Sequence, residues 1–165
     1  MREIVVVLLS ASTLLTGCFK ADTGCPYTST SKIAPASEEQ ALSTYITSNN
    51  ITAVKHGSNM YYQILSAGTG TAAPQLCSNI QINYSGKLTN GNVFDSQNNA
   101  VFTLGSLIEG WKYGLPLIKK GGQIRLYIPP SLGYGATDVK DQSTGNIIIP
   151  ANSILIFDIT LTDFQ

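Results

Sequence analysis

Apolar and polar residues alternate through most of the chain beyond residue 60. Met60 to Leu65 is rich in Tyr and Ile and stops at Gly68-Thr69-Gly70, which predicts a strand. Over 79–88, Ile80, Ile82 and Tyr84 alternate with Gln81, Asn83 and Ser85, the pattern of a strand with one buried face. Thr89-Asn90-Gly91-Asn92 reads as a hairpin turn, because Asn and Gly tolerate positive φ. Val93-Phe94-Asp95 starts the return strand, and Val101 to Leu104 is a further extended piece. Gln123 to Ile128 alternates again. Ser153 to Phe164 closes the chain as a strand with Leu155, Phe157, Ile159 and Leu161 on one face.

Two segments carry the helical period instead. Ser37-Glu38-Glu39-Gln40 fits a helix start with Ser37 as cap, Gln40 reaching back and two acids in the first turn. Ala41, Leu42, Tyr45 and Ile46 then share a face that must pack on something, and Asn49-Asn50 ends the helix. Leu107, Ile108, Trp111, Leu115 and Ile118 recur at spacings of three and four, predicting one short helix limited by Pro116. Residues 131–147 read as a long loop. An antiparallel sheet with one helix inserted late and an accessory helix in front gives an α+β fold.

The first residues follow another logic. Ile4 to Leu15 is an apolar run after Arg2, too short for an ordinary span and suited to a secretory signal. Leu15-Thr16-Gly17-Cys18 follows at once and resembles the bacterial lipobox, in which the cysteine is lipidated and becomes the new N-terminus. Residues 1–17 are therefore expected to be a lipoprotein signal peptide, and 18–36 a flexible, lipid-anchored tether rich in Ser, Thr and Pro. Residues 37–57 hold the accessory helix and linker, and 58–165 the main domain. The expected location is the bacterial cell envelope, with Cys18 in a membrane, the outer one favoured and its face open. Export leaves Cys25 and Cys77 as an even pair in an oxidising compartment, so a disulfide between them is expected.

Composition narrows the chemistry. Ten basic residues balance ten acidic ones, and only 12% of the 165 residues are charged, which argues against nucleic acid as partner. The 43% hydrophobic content argues against disorder. One histidine, His56, in a Lys-His-Gly-Ser stretch read as a solvated loop, leaves no metal site and no Ser-His-Asp set; no phosphate loop is present, and no cofactor is expected.

What remains is aromatic and aliphatic density beside a few polar groups. The runs N-Y-S-G-K-L, G-N-V-F-D-S, L-I-E-G-W, G-G-Q-I-R-L-Y-I-P-P, L-G-Y-G-A and I-P-A-N-S-I-L-I-F-D-I occur in that order within about residues 58–165. Together they resemble the FKBP-type peptidyl-prolyl isomerases. The resemblance implies a twisted antiparallel half-barrel sheet wrapped round a short helix, with a cleft for the proline of a peptide. It implies Trp111 as the floor and Tyr84, Phe94 and Phe157 as walls. Leu107 and Ile108 would form one edge, the Ile108 N–H being free for a substrate carbonyl. Asp95 and Tyr134 would be the polar groups, and Ile148 and Ile149 the rim. It further implies isomerisation of X–Pro bonds in exported proteins, and admits a macrolide ligand.

The sequence departs from the family after Asp95. Gln97-Asn98-Asn99-Ala100 is short, and the basic partner that many relatives offer Asp95 is missing. The loop 136–147 is longer than in the minimal domain. Two other functions are therefore weighed: a non-catalytic peptide-binding or chaperone module using the same cleft, and a structural subunit docking through the 38–48 helix.

Overall fold

The computed structural model describes residues 24–165, so the expected signal peptide, residues 1–17, and Cys18 lie outside the described residues. Six strands form one open antiparallel sheet: β1 (Val54–Lys55), β2 (Tyr61–Ser66), β3 (Asn79–Leu88), β4 (Val93–Thr103), β5 (Gln123–Ile128) and β8 (Leu155–Phe164). Their spatial order is β1-β2-β5-β8-β3-β4. Two short strands, β6 (Val139–Lys140) and β7 (Ile147–Ile149), pair separately. Helices α1 (Ala36–Ser48) and α2 (Glu109–Gly114) complete the fold.

One face of the sheet meets α2. Ile80 and Ile82 of β3, Leu126 and Ile128 of β5, and Phe157 and Ile159 of β8 alternate inward and bury with Trp111 and Leu115. The period of two puts every second side chain on that face. The opposite face meets α1, where Leu42 and Ile46 bury against Tyr127 and Ile156. Structural packing of the front helix is thus what its apolar face is for, although Ala41 stays exposed.

Alpha-2 has only six residues, too few to sustain itself without tertiary contact. Two glycines one turn apart let it sink onto β5. A Cβ at Gly110 would come within 2.5 Å of Ile128, and one at Gly114 within 2.5 Å of Leu126.

The acids of α1 do more than complement its dipole. Glu38 Oε2 accepts the Ser131 backbone N–H (2.9 Å), and Glu39 Oε1 accepts the Tyr61 hydroxyl (2.6 Å) and pairs with Lys55 (3.1 Å). On the same outer face Asp158 of β8 is flanked by Arg125 and Lys87. Burial alone would raise the Asp158 carboxyl; the Arg125 hydrogen bond and the two positive charges outweigh it and hold the group below its ordinary range.

Several expectations need correction. Ser37 does not cap α1, which begins a residue earlier after Pro35; the Pro35 carbonyl accepts the N–H groups of Glu38 and Glu39. Residues 93–104 are not two extended pieces. Beta-4 runs unbroken through 93–103, with one bulge between Ala100 and Gln97 and another at Phe94. Bulges break the period-two signal without ending the strand. The single helix expected over 107–118 is α2 followed by a 3-10 turn, Leu115–Leu117, where Pro116 allows the tighter turn. The 131–147 loop holds a 3-10 turn at Pro130–Leu132 and the β6–β7 pair. His56 is half-buried: its Nδ1 lies 2.8 Å from Ser58 Oγ, its ring packs on Tyr113 at 5.2 Å, and burial lowers its pKa. The described part of the expected tether is not free either; Ala34 is buried, and its N–H donates to the Ser58 carbonyl (3.0 Å).

A Gly110→Ala substitution should destabilise the protein by about 1–2 kcal/mol in urea unfolding, because overpacking outweighs the gain in helix propensity. Unchanged stability would mean the helix is not seated as described. For Asp158 the folded pKa lies below the unfolded one, so its stabilisation is complete above the unfolded value, about pH 4, and is lost as pH falls through the folded value. The urea midpoint of Asp158→Asn should therefore fall less than that of the parent protein on acidification below about pH 4.

Candidate functional site

The sole tryptophan stands on α2, 4% exposed, with three aromatic rings edge-on around it. Phe157 of β8 lies 5.0 Å away at 90°, Tyr84 of β3 at 5.3 Å and 77°, and Phe102 of β4 at 6.5 Å and 80°. Such edge-to-face pairs contribute about 0.5–1.5 kcal/mol each beyond the area they bury. Phe94 stands behind them, edge-on to Phe157 at 5.5 Å. The second bulge of β4 places it there, and Gly86 leaves room: a Cβ at that position would meet both Phe94 and Phe157 at 2.6 Å.

Above the indole opens a cavity of about 360 Å³. Trp111, Tyr84, Phe102 and Phe157 give it an aromatic base and walls; Leu107 and Ile108 form one side. Asp95, Gln97 and Tyr134 bring the polar atoms. The Tyr84 hydroxyl donates to Asp95 Oδ2 at 2.6 Å, so the carboxylate, which has no ion-pair partner among the described residues, is held by a phenol. Burial, then the hydrogen bond to Asp95, push the Tyr84 hydroxyl well above the ordinary phenol range. Burial, and then the Asp95 charge, raise Tyr134 as well. Both hydroxyls thus remain protonated through neutral and mildly alkaline pH.

Ile108 is the residue before α2. Its carbonyl accepts the N–H groups of Trp111 (3.0 Å) and Lys112 (3.3 Å), while its own N–H makes no hydrogen bond among the described residues. The Trp111 Nε1 is buried and has no acceptor among them, so the indole meets the cavity as an apolar surface. The site offers apolar walls and hydrogen-bond donors; its one carboxylate, Asp95, is engaged by the Tyr84 hydroxyl, and no thiol, imidazole or amine lines it. Binding and distortion of a ligand are what this arrangement can do.

Of the residues singled out in the sequence, Tyr84, Asp95, Leu107, Ile108, Trp111, Tyr134 and Phe157 meet in this cavity. Phe94 supports Phe157 without lining it. Ile148 and Ile149 are not at the cavity: Ile149 is buried in the core and Ile148 is on β7, 36% exposed. Phe102 and Gln97 line it and were not anticipated. Phe102 alternates with Ala100 on the inward face of β4, a signal hidden by the bulge between Ala100 and Gln97. Cys25 and Cys77 are joined as a disulfide with Cα atoms 5.7 Å apart.

Comparison with known proteins sets this geometry beside others. The model of the FKBP-type peptidyl-prolyl cis-trans isomerase family matches residues 70–162. The FKBP-type peptidyl-prolyl cis-trans isomerase FkpA of Buchnera aphidicola subsp. Schizaphis graminum is 42% identical over 115 residues, 67% of this chain and 43% of that protein. The peptidyl-prolyl cis-trans isomerase Mip of Coxiella burnetii is 39% identical over 106 residues, 62% of this chain and 43% of that one. The chain thus spans less than half the length of these curated relatives. The crystal structure of FkpA from Escherichia coli superposes with a TM-score of 0.66 at 34% identity, covering 79% of this chain and 60% of that one.

The geometry makes a spectroscopic prediction. Tyr84→Phe should remove one tyrosine from the fraction that ionises above the ordinary phenol range, where Tyr61, at about 12, also belongs. Alkaline titration of phenolate absorbance measures this; loss from the ordinarily titrating fraction would contradict the Tyr84–Asp95 contact.

Proposed function

We propose that this chain, which belongs to the FKBP-type peptidyl-prolyl cis-trans isomerase family, catalyses the rotation of Xaa–Pro peptide bonds in its aromatic cleft. The observation that carries the reading is the open cavity over Trp111, walled by edge-on rings and rimmed by hydrogen-bond donors. Its volume falls in the range of small-ligand pockets, about 300–1,000 Å³.

The chemistry asks for no acid, base or nucleophile. Rotation about an Xaa–Pro amide breaks resonance and faces a barrier of about 18–20 kcal/mol, but no covalent bond is made. The planar amide is the more dipolar form. Aromatic walls that exclude water withdraw the solvation that favours it, and so favour the twisted form in relative terms. Trp111 receives the prolyl ring. The Ile108 N–H and the Tyr134 hydroxyl hold the flanking carbonyls. Tyr84 keeps Asp95 facing the cleft, where its charge orients the donors around it. A thousandfold acceleration needs only about 4 kcal/mol of differential binding, within the reach of a few such contacts.

The substrates we infer are proline-containing segments of exported proteins, and a macrolide would compete for the same cleft. The protein would be held in the bacterial envelope through a lipid on Cys18, with the outer membrane the favoured site. Support for that location comes from the Leu15-Thr16-Gly17-Cys18 run, and from a disulfide, which suits an oxidising compartment.

Isomerisation of a short Xaa–Pro peptide, followed with the whole protein, tests this. Turnover should exceed the uncatalysed rate, and Trp111→Leu and Phe102→Ala should each lower kcat/KM by about tenfold, the effect of losing about 1.4 kcal/mol of transition-state binding. A parent protein that leaves the uncatalysed rate unchanged would overturn the reading. Peptide binding without turnover, followed by Trp111 emission, would favour a module that only holds its clients.

A further inference from the structure

The segment ahead of α1 is fixed to the domain at separate points, and two of them lie on the framework of the cleft. At its start, Cys25 is bonded to Cys77, 52 residues away. The stretch around Cys77 is tied in turn to the turn that leads into the cleft edge: the Gly105 N–H donates to the Leu76 carbonyl (2.7 Å) and the Leu104 N–H to the Ser78 carbonyl (3.0 Å). The Tyr27 side chain presses on Gly105, where a Cβ would come within 2.2 Å of Tyr27 Cγ and 2.6 Å of Cδ2. Gly105 is two residues from Leu107 and three from Ile108, both cleft residues. Further along, the Tyr113 hydroxyl sits 3.1 Å from the Thr30 carbonyl and 2.9 Å from that of Lys32. Tyr113 is on α2, two residues after Trp111. Between these points the segment stands over a groove of about 480 Å³ bordered by Tyr27, Tyr113, Pro74 and Pro116. It is therefore held by its pins rather than by continuous packing.

We propose that residues 25–34 form a disulfide-anchored strap that positions the cleft, with Tyr27 and Tyr113 as positioning residues. Tyr27 sets the backbone that delivers Leu107 and the Ile108 N–H, and Tyr113 ties α2, and with it Trp111, to the strap. The two act through different atoms. Tyr27 contributes its ring, since its hydroxyl makes no hydrogen bond among the described residues. Tyr113 contributes its hydroxyl. The effect on turnover rests on the cleft being the prolyl site, whereas the effect on geometry does not.

The sole tryptophan makes the test direct, because its emission and its quenching by acrylamide report the cleft without turnover. The whole protein is compared with Tyr27→Ala, Tyr27→Phe, Tyr113→Phe and the double variant Cys25→Ser/Cys77→Ser. Tyr27→Ala, Tyr113→Phe and the double serine variant should raise the quenching constant about twofold and lower kcat/KM about threefold to tenfold, the scale of one lost contact. Tyr27→Phe should behave as the parent. That rescue separates positioning by the ring from general loosening. If Tyr27→Ala does not fold, Tyr113→Phe and the double serine variant give the same reading. Parent-like quenching and turnover in all variants overturns the strap. So does Tyr27→Phe matching Tyr27→Ala. The expected quenching pattern in a protein without turnover supports the strap and removes the isomerase reading alone.

Discussion

The seat of a six-residue helix on one strand is the constraint on which the site depends. Alpha-2 is too short to be stable by its own hydrogen bonds, so its place is set by what it touches. Gly110 and Gly114 lie four residues apart, hence on one side of the helix, and they let its backbone approach Ile128 and Leu126 of β5. With that side fixed, Trp111 is carried against Phe157, Tyr84 and Phe102 at near-perpendicular angles. The rings of three strands thus converge on one indole. A shift of the helix along β5 would move the floor of the cleft and all three of these contacts together.

The polar side of the cleft follows from the same economy of groups. Asp95 is exposed and has no cation within ion-pair distance among the described residues; its carboxylate is held by the Tyr84 hydroxyl. That contact fixes a ring that is also a wall, so one residue serves both the apolar and the polar part of the site. Asp158 on the outer face shows the contrasting solution, a carboxylate clamped by Arg125 and Lys87 and committed to holding β8 beside its neighbours. The two acids occupy neighbouring regions of one sheet, yet only Asp95 faces a cavity.

Legibility in the sequence tracked the locality of the cause. Beta-3 and β5 were readable to the residue because their alternation is unbroken, and the 89–92 turn was readable from Asn90-Gly91. Beta-4 was not, because two bulges shift its phase; the same shift hid Phe102 as a cleft residue and made Phe94 a support rather than a lining side chain. The place of Trp111, Tyr84, Asp95 and Tyr134 in one cavity came from family resemblance, since apolar periodicity alone marks core before it marks a cleft. Ile149, which the resemblance sets at the rim, is buried in the core and is not among the residues lining the cavity. The strap was illegible for a different reason. Its Ser, Thr and Pro content reads as a linker, and the contacts that tie it to the cleft framework join residues more than 50 positions apart, Cys25 to Cys77 and Tyr113 to Thr30.

The N-terminal region is consequently more than an addition to a complete domain. From its first described residues it reaches one side of the cleft framework, at Gly105 and Tyr113. Then, through α1, it reaches the other side, where Glu38 accepts the Ser131 N–H in the turn three residues before Tyr134. A hydrogen bond to a carboxylate is stronger than one between neutral groups, so this contact holds its turn more firmly than loop packing alone would. Glu38 and Glu39 look like ordinary first-turn acids complementing a helix dipole, worth a few tenths of a kcal/mol to about 1 kcal/mol at a surface. Their tertiary partners give them a second role, because Glu39 also fastens Tyr61 and Lys55 at the far end of the sheet order. A helix packed only by Leu42 and Ile46 could slide or rotate on Tyr127 and Ile156, since apolar contact is non-directional. The directional bonds from its first turn remove that freedom, and so the segment 25–48 is tied to Gly105, Tyr113 and Ser131, which stand close in sequence to cleft residues without lining the cleft themselves.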